Sequence, residues 1–259
     1  MGGYAITLLG QFSLVRDDHR VELPSTTGRL VAVVALSGDP SRSRLAGMLL
    51  PDTTEERARS SLRNALWQAG QSAPGLLHAN GSVQLATDVQ VDVRALREAA
   101  HRLMASGSVE PTDLALQRYC ERELLPDWDD PWVSQERLRL QQLQLHLLES
   151  IAGFCLAQGR FALAIDSALA ALRLDLLHEG AHRTIIRAHI EAGNNAAAVR
   201  AYRHCVQILE DELGIEPSPE TMALVRECVP QPRLPHRWQA AQRLHSMSSW
   251  VPLLALVGA

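Results

Sequence analysis

Lysine is absent from this 259-residue chain, and all 25 of its basic residues are arginine. An all-arginine cation set points to a coding bias toward G and C. The number of arginines therefore carries little functional weight, and their positions must carry the case. Cysteine is sparse: Cys120, Cys155, Cys205 and Cys228 lie far apart with no Cys-x-x-Cys pair. That excludes a disulfide framework and fits reduced, mostly buried thiols of a cytoplasmic protein. Long apolar runs are missing as well. "MGGYAITLLGQFSLVRDD" has no basic n-region and does not read as a signal peptide, and "WVPLLALVGA" is too short to span a bilayer. No Walker A, GxGxxG or GxSxG signature is present, so nothing points to nucleotide binding or acyl transfer. A net charge of -4 argues against wholesale coating of nucleic acid or membrane. A local basic face remains open, because contact needs only a patch.

What is there is a soluble globular balance, with 46% apolar and 21% charged residues, at a length that suits one large or two ordinary domains. "YAITLLG", "QFSLVRD" and "VEL" read as short strands, with "DDHR" as a turn. "TTGRLVAVVAL" and "SRSRLAGMLL" read as two short amphipathic helices separated by "GDP". The third helix is "TTEERARSSLRNALWQAG", with a capping box at Thr53-x-x-Glu56 and Gly70 with Pro74 to end it. "LLHANGSVQLA" carries Asn80-Gly81 between apolar residues, a hairpin signal. Strands, three helices and a hairpin in that order make a winged helix, a variant of helix-turn-helix. From Asp92 onward the texture is helical.

The second half repeats itself. Gly159 aligns with Gly193, Ala164 with Ala198, Ile165 with Val199 and Leu174 with Ile208, each at an offset of 34 residues. That is the tetratricopeptide period, two antiparallel helices per unit, with the glycines in the turns. A long helix over 133–158 precedes the repeat, and a helix over 219–228 closes it. The expected fold is mainly α with a small β part: an N-terminal winged helix-turn-helix over 1–91, a tetratricopeptide-like helical domain over 92–228, and a tail over 229–259.

At 100° per residue, the third helix puts Ala58, Leu62, Ala65, Leu66 and Ala69 on one side. Ser60, Arg63, Asn64 and Trp67 fall on the other, flanked by Arg57 and Arg59. A recognition helix needs such a front, because Arg pairs bidentately with guanine and Asn with adenine. Ser60, Arg63 and Asn64 are therefore base-reading candidates. Thr54, Arg57, Arg59 and Trp67 are candidates for the DNA backbone, as is Asn80 at the hairpin tip. Arg42 and Arg44, which open the second helix, either anchor the phosphate backbone or cap and solvate. The bland alternative for the whole helix is a solvated amphipathic surface. Position as the third helix before a hairpin, and a tryptophan on the outer face, weigh against it.

Two other stretches invite chemistry. "HEGAH", His178 to His182, matches H-E-x-x-H, but Gly180 interrupts it and no third ligand follows. These residues are expected to be polar groups at a helix start, with no metal and no catalytic residue; zinc hydrolysis is the enzyme alternative. The acidic "CERELLPDWDDPW" is expected to be a solvated loop, with Trp128 and Trp132 anchoring the long helix against the repeats.

"LLGQFSLVRDDHRVELP", "ARSSLRNALWQ", "LLPDWDDPWVSQERLRL", "AHRTIIRAHIEAGNNAAAVRAYRHC" and "LEDELGIEPSPET" together resemble the Streptomyces antibiotic regulatory protein family, over about residues 4–228. The resemblance implies a winged-helix output domain followed by a bacterial transcriptional activator domain. It implies an activator of secondary-metabolite gene clusters, cytoplasmic and nucleoid-associated, that needs no cofactor. The implied partners are double-stranded DNA carrying direct repeats near promoters, RNA polymerase holoenzyme, and a second copy arranged head-to-tail on tandem repeats; no membrane is implied. By position, Arg59, Arg63 and Asn64 lie on the recognition helix. The rival is a protein-interaction scaffold whose winged helix no longer binds DNA, a reading that the thin basic charge supports.

Overall fold

The computed structural model describes residues 3–226. Alternation in "YAIT" turns Tyr4 and Ile6 into the core along β1 (Tyr4–Thr7). β2 (Ser13–Arg16) pairs antiparallel to it, with Tyr4 opposite Arg16 and Thr7 opposite Ser13. Asp17 and Asp18 both take positive φ, 49° and 63°, the geometry of a two-residue hairpin turn. The turn thus closes over two residues rather than the expected four. His19 and Arg20 become β3 (His19–Arg20), and "VEL" contributes only the Val21 N–H, which donates to the Leu14 carbonyl.

α1 (Ser25–Ser37) is buried at Thr27, Gly28 and every position from Leu30 to Leu36. A helix apolar on all sides has to be covered on all sides. α2 (Arg42–Leu49) starts at Ser41, whose side chain accepts the Arg44 N–H. α3 (Glu55–Ser72) follows, and then the wing: β4 (Leu77–His78) and β5 (Gln84–Leu85), with Leu77 opposite Leu85. The loop runs over residues 79–83 instead of a tight turn at Asn80-Gly81. The reason is a docking at its far side. Val83 N–H donates to Pro40 O, Ser82 bridges to Ser41, and Val83 is fully buried.

β6 (Gln90–Val91) returns to the first sheet and lies parallel to β1, giving the order β3-β2-β1-β6. Only two residues long, it left no pattern to read. The helical part begins at once with α4 (Asp92–Ser106) and α5 (Pro111–Cys120). The long α6 (Pro131–Ala157) leads into α7 (Phe161–Leu174), α8 (Glu179–Glu191), α9 (Asn195–Leu213) and α10 (Pro219–Arg226). Gly159 and Gly193 occupy the α6–α7 and α8–α9 turns at φ 67° and 73°, a backbone that other residues adopt at a cost. Ala164 and Ala198 are fully buried where successive helices meet. The architecture is mainly α with a small β part, a winged helix-turn-helix followed by a tetratricopeptide-like repeat.

The two parts are stitched together by polar groups. The Asp92 carboxylate, at the start of α4, accepts the N–H groups of Leu8 (2.9 Å) and Leu9 (2.9 Å) at the end of β1. Segment 121–128 crosses the same strand end: Gly10 N–H donates to Glu123 O, and Leu125 N–H to Leu8 O. Arg137 on α6 holds that segment by donating to the carbonyls of Leu124, Leu125 and Trp128. The spacing of Trp128 and Trp132 suggests anchors against the repeats, but Trp128 faces the winged helix instead. Trp128 stacks at 5.6 Å on Phe12, ahead of β2, and lies 6.1 Å from Trp132, with Arg29 of α1 over the Trp128 ring. Trp128 thus fastens the segment leading into α6 to the winged helix. The acidic loop is likewise not wholly solvated, since Asp130 pairs with Arg29, Glu123 with Arg137 and Glu121 with Arg173. Among the described residues, no helix is long and apolar enough to cross a membrane. Cys228 and the 229–259 tail lie outside the described residues.

Candidate nucleic-acid interface

The helix that carries the candidates starts one residue later than its capping box requires. The Thr53 hydroxyl donates to the Leu50 carbonyl, which takes it away from the helix. Thr54 is the N-cap, and its side chain makes no capping bond. Glu55 and Glu56 fill the first turn, where the helix dipole favours negative charge. At the other end the helix runs past Gly70 to Ser72, with Ala73 as the capping residue. Ala58, Leu62, Ala65 and Ala69 are buried as the periodicity requires, and Leu66 is half-buried. Thr27 of α1 donates to Gln68 Oε1 at 2.9 Å and fixes the helix against its neighbour.

The outer face is open. Ser60, Arg63, Asn64 and Trp67 are all exposed, Trp67 by 64%, which leaves a large apolar ring in water beside three hydrogen-bonding side chains. Arg57 and Arg59 flank it, also exposed. The arginines differ in what they already hold. Arg59 pairs with Glu55 one turn earlier, Nη2 to Oε1 2.5 Å. Arg42 donates to the Ala79 carbonyl at 2.7 Å and so ties the start of α2 to the wing. Among the described residues, the Arg44, Arg57 and Arg63 side chains have no ion-pair or hydrogen-bond partner.

Arg42, Arg59 and Arg63 gather around one groove of about 590 Å³ between α2 and α3, floored by Leu62 and Leu66 and faced by Glu55 and Glu56. Ser43 also lines it, a residue that the wheel of α3 alone had no way to find. Thr54, Arg57, Ser60, Asn64 and Trp67 stand outside that groove, and Asn80 is exposed at the tip of the wing.

In "HEGAH" each of the three candidate side chains already holds a partner within the fold. His178 is the N-cap of α8, its ring nitrogen accepting the Ala181 N–H at 3.2 Å. Glu179 accepts from the Ser218 N–H and from the hydroxyls of Ser218 and Thr221. Burial pushes its carboxyl up, but those hydrogen bonds and Arg183 outweigh it and carry the pKa below the ordinary value. His182 is buried with Nε2 3.0 Å from the Leu176 carbonyl, and burial lowers its pKa. Among the described residues, no cluster of three or more His, Cys, Asp or Glu is arranged to hold a metal. Cys120, Cys155 and Cys205 are buried and free. Burial, with Glu121 adding to it, pushes the Cys120 thiol up to about 12, so it stays protonated.

Residues 86–228, more than half of the chain, match the family described as "Bacterial transcriptional activator domain". Regulatory protein AfsR of Streptomyces coelicolor is 29% identical over 158 residues, which is 58% of this chain and 15% of that protein. Regulatory protein AfsR of Streptomyces griseus is 27% identical over 140 residues, 54% of this chain and 14% of its own length. The chain thus spans only a small part of these relatives. Among solved structures, Mycobacterium tuberculosis EmbR in complex with a low-affinity phosphopeptide has the same fold, with a TM-score of 0.64 at 20% identity, covering 95% of this chain and 70% of that one.

Proposed function

The chain belongs to the bacterial transcriptional activator domain family, and from that premise we propose that it is a sequence-specific DNA-binding transcriptional activator. One observation carries the reading: α3 buries its apolar side completely enough to leave Ser60, Arg63, Asn64 and Trp67 exposed and unobstructed. α3 enters the major groove, and Ser60, Arg63 and Asn64 meet base edges. Arg57, Arg44 and the Thr54 end of the helix take phosphates, Trp67 packs on the backbone, and Asn80 reaches it from the wing. Arg59 joins them when it leaves Glu55. Arg42 positions the wing.

The DNA-reading unit covers residues 1–91 and the helical unit 92–228, a division supported by Val91 closing the sheet and Asp92 opening α4. The helical unit supplies protein contacts, to RNA polymerase holoenzyme and to a second copy on direct repeats near a promoter. The relatives' names support a regulator, and a secondary-metabolite gene cluster is the target class we infer. We infer a cytoplasmic, nucleoid-associated protein with no catalytic role.

Footprinting of the full chain on genomic fragments tests the reading. Protection of spaced repeats upstream of a promoter is expected, lost in Arg63→Ala and Asn64→Ala. The engagement of Arg59 and Arg42 inside the chain favours a second reading, a protein-interaction scaffold. A gel shift at moderate salt that is absent, or indifferent to sequence, would decide for the scaffold.

A further inference from the structure

A cleft of about 720 Å³ lies between the outward face of β1 and β6 and the helices α4 and α5. That volume is in the range of small-molecule sites. Three arginines line it: Arg94 on α4, Arg118 on α5 and Arg122 just past its end. Ten other arginines of the described residues pair with carboxylates, but these three do not. Arg118 lies over the Tyr119 ring and donates to its hydroxyl at 3.0 Å, contacts with a neutral group that leave it without a carboxylate partner.

Two carboxylates share the lining, Asp92 and Glu98. Asp92 has both oxygens on the N–H groups of Leu8, Leu9 and Val93 and forms no ion pair with any of the three arginines, so two carboxylates face three guanidinium groups. Glu98 is exposed and pairs with none of the three. The cleft therefore holds an excess of unneutralised cation beside an apolar floor that includes Val89 and Leu116. Guanidinium forks match phosphate oxygens in geometry as well as charge.

We propose that this cleft binds a phosphorylated small molecule, with Arg94, Arg118 and Arg122 on its phosphate oxygens and its organic part against Val89, Leu116 and Tyr119. The occupant bridges the sheet of the winged helix to α4 and α5. The site is separate from the α3 face, so it stands or falls independently of DNA reading.

The test is titration of the full chain with inorganic pyrophosphate and with a nucleoside diphosphate, by calorimetry at constant ionic strength, with hydrogen exchange read alongside. Saturable binding is expected, with slower exchange over residues 87–98 and 114–122. Arg94→Gln and Arg122→Gln should each weaken it on the order of tenfold, the effect of losing a charged hydrogen bond. Arg63→Gln on α3 should leave it unchanged. The nucleoside diphosphate should bind more tightly than pyrophosphate if the apolar floor contributes. The proposal is overturned by an absence of saturable binding to either probe, by equal affinity in Arg122→Gln, or by protection confined to α3. Displacement of pyrophosphate by duplex DNA from wild type and Arg63→Gln alike would also overturn it, since the cleft would then take a nucleic-acid backbone.

Discussion

Glu55→Gln should tighten DNA binding. In the free chain Arg59 lies 2.5 Å from Glu55, with the two side chains 60% and 71% exposed. An exposed pair one turn apart contributes about 0.3–0.5 kcal/mol, and a first-turn carboxylate adds at most about 1 kcal/mol through the helix dipole. Neutralising Glu55 therefore costs the fold little. On DNA the balance reverses. Arg59 no longer has to leave a partner, and a negative charge is removed from the groove proposed to face the duplex. One further phosphate neutralised steepens the slope of log K against log salt by about 0.9, which at about 0.15 M salt is roughly fivefold in affinity. Fluorescence anisotropy of a cognate duplex across a salt series reads both quantities, and a thermal melt checks the fold. An unchanged slope with unchanged affinity would refute the reasoning, because Arg59 would then have no phosphate within reach. Weaker binding would show that Glu55 itself holds α3 in its reading position.

Arg63→Ala should cost about 1–3 kcal/mol on the cognate site and relax specificity there, with no loss of melting temperature, because the side chain is exposed and unpartnered; equal weakening on every sequence would make it a phosphate contact. Leu62→Ala should destabilise the fold by about 2–5 kcal/mol in denaturant titrations, since Leu62 is only 3% exposed; a stable variant with altered base preference would show that the wrong face of α3 was assigned to the core. Glu179 has a pKa lowered in the folded chain by the hydroxyls of Ser218 and Thr221. Its contribution is present above the ordinary glutamate pKa of 4.5 and lost as pH falls through the lowered folded value. Glu179→Gln should flatten that part of the stability profile, and a profile identical to wild type below pH 4.5 would count against the hydrogen-bonded cluster joining α8 to α10.

The winged helix was legible wherever one residue type decides a local geometry. Asp17-Asp18 announced a turn, Ser41 a helix start, and the apolar stripe of α3 its buried face. The repeat was legible because its period exceeds noise: glycines 34 residues apart take the same left-handed backbone. Three features were not. β6 has two residues, too few to show alternation, and it is defined by pairing with a strand more than eighty residues earlier. The wing's loop is set by docking against Pro40 and Ser41, not by Asn80-Gly81. The partner of Trp128 is not encoded in its spacing from Trp132, because four residues place two rings on one side without saying what faces them.

The same limit explains why the arginines were harder to place than the apolar residues. Burial is averaged over a helix face and survives small errors of register, whereas an ion pair depends on a single partner. By sequence Arg42 suits phosphate or solvent equally, and in the fold it donates to a carbonyl of the wing. Arg29 and Arg97 gave no functional signal at all, yet both connect the two halves. Arg29 joins α1 to Asp130 at the start of α6, and Arg97 joins the Leu36 carbonyl at the end of α1 to Glu136 on α6. α1 in turn holds α3 through Thr27 and Gln68. A continuous set of directional contacts therefore runs from α6 through α1 to the helix proposed to read DNA. A partner that shifts α6 has to pull on both ends of α1, and α3 can keep its place only if the Thr27–Gln68 bond and the surrounding core yield first. Close-packed interiors yield little, so the helical half and the proposed DNA-reading face should respond to a partner as one body.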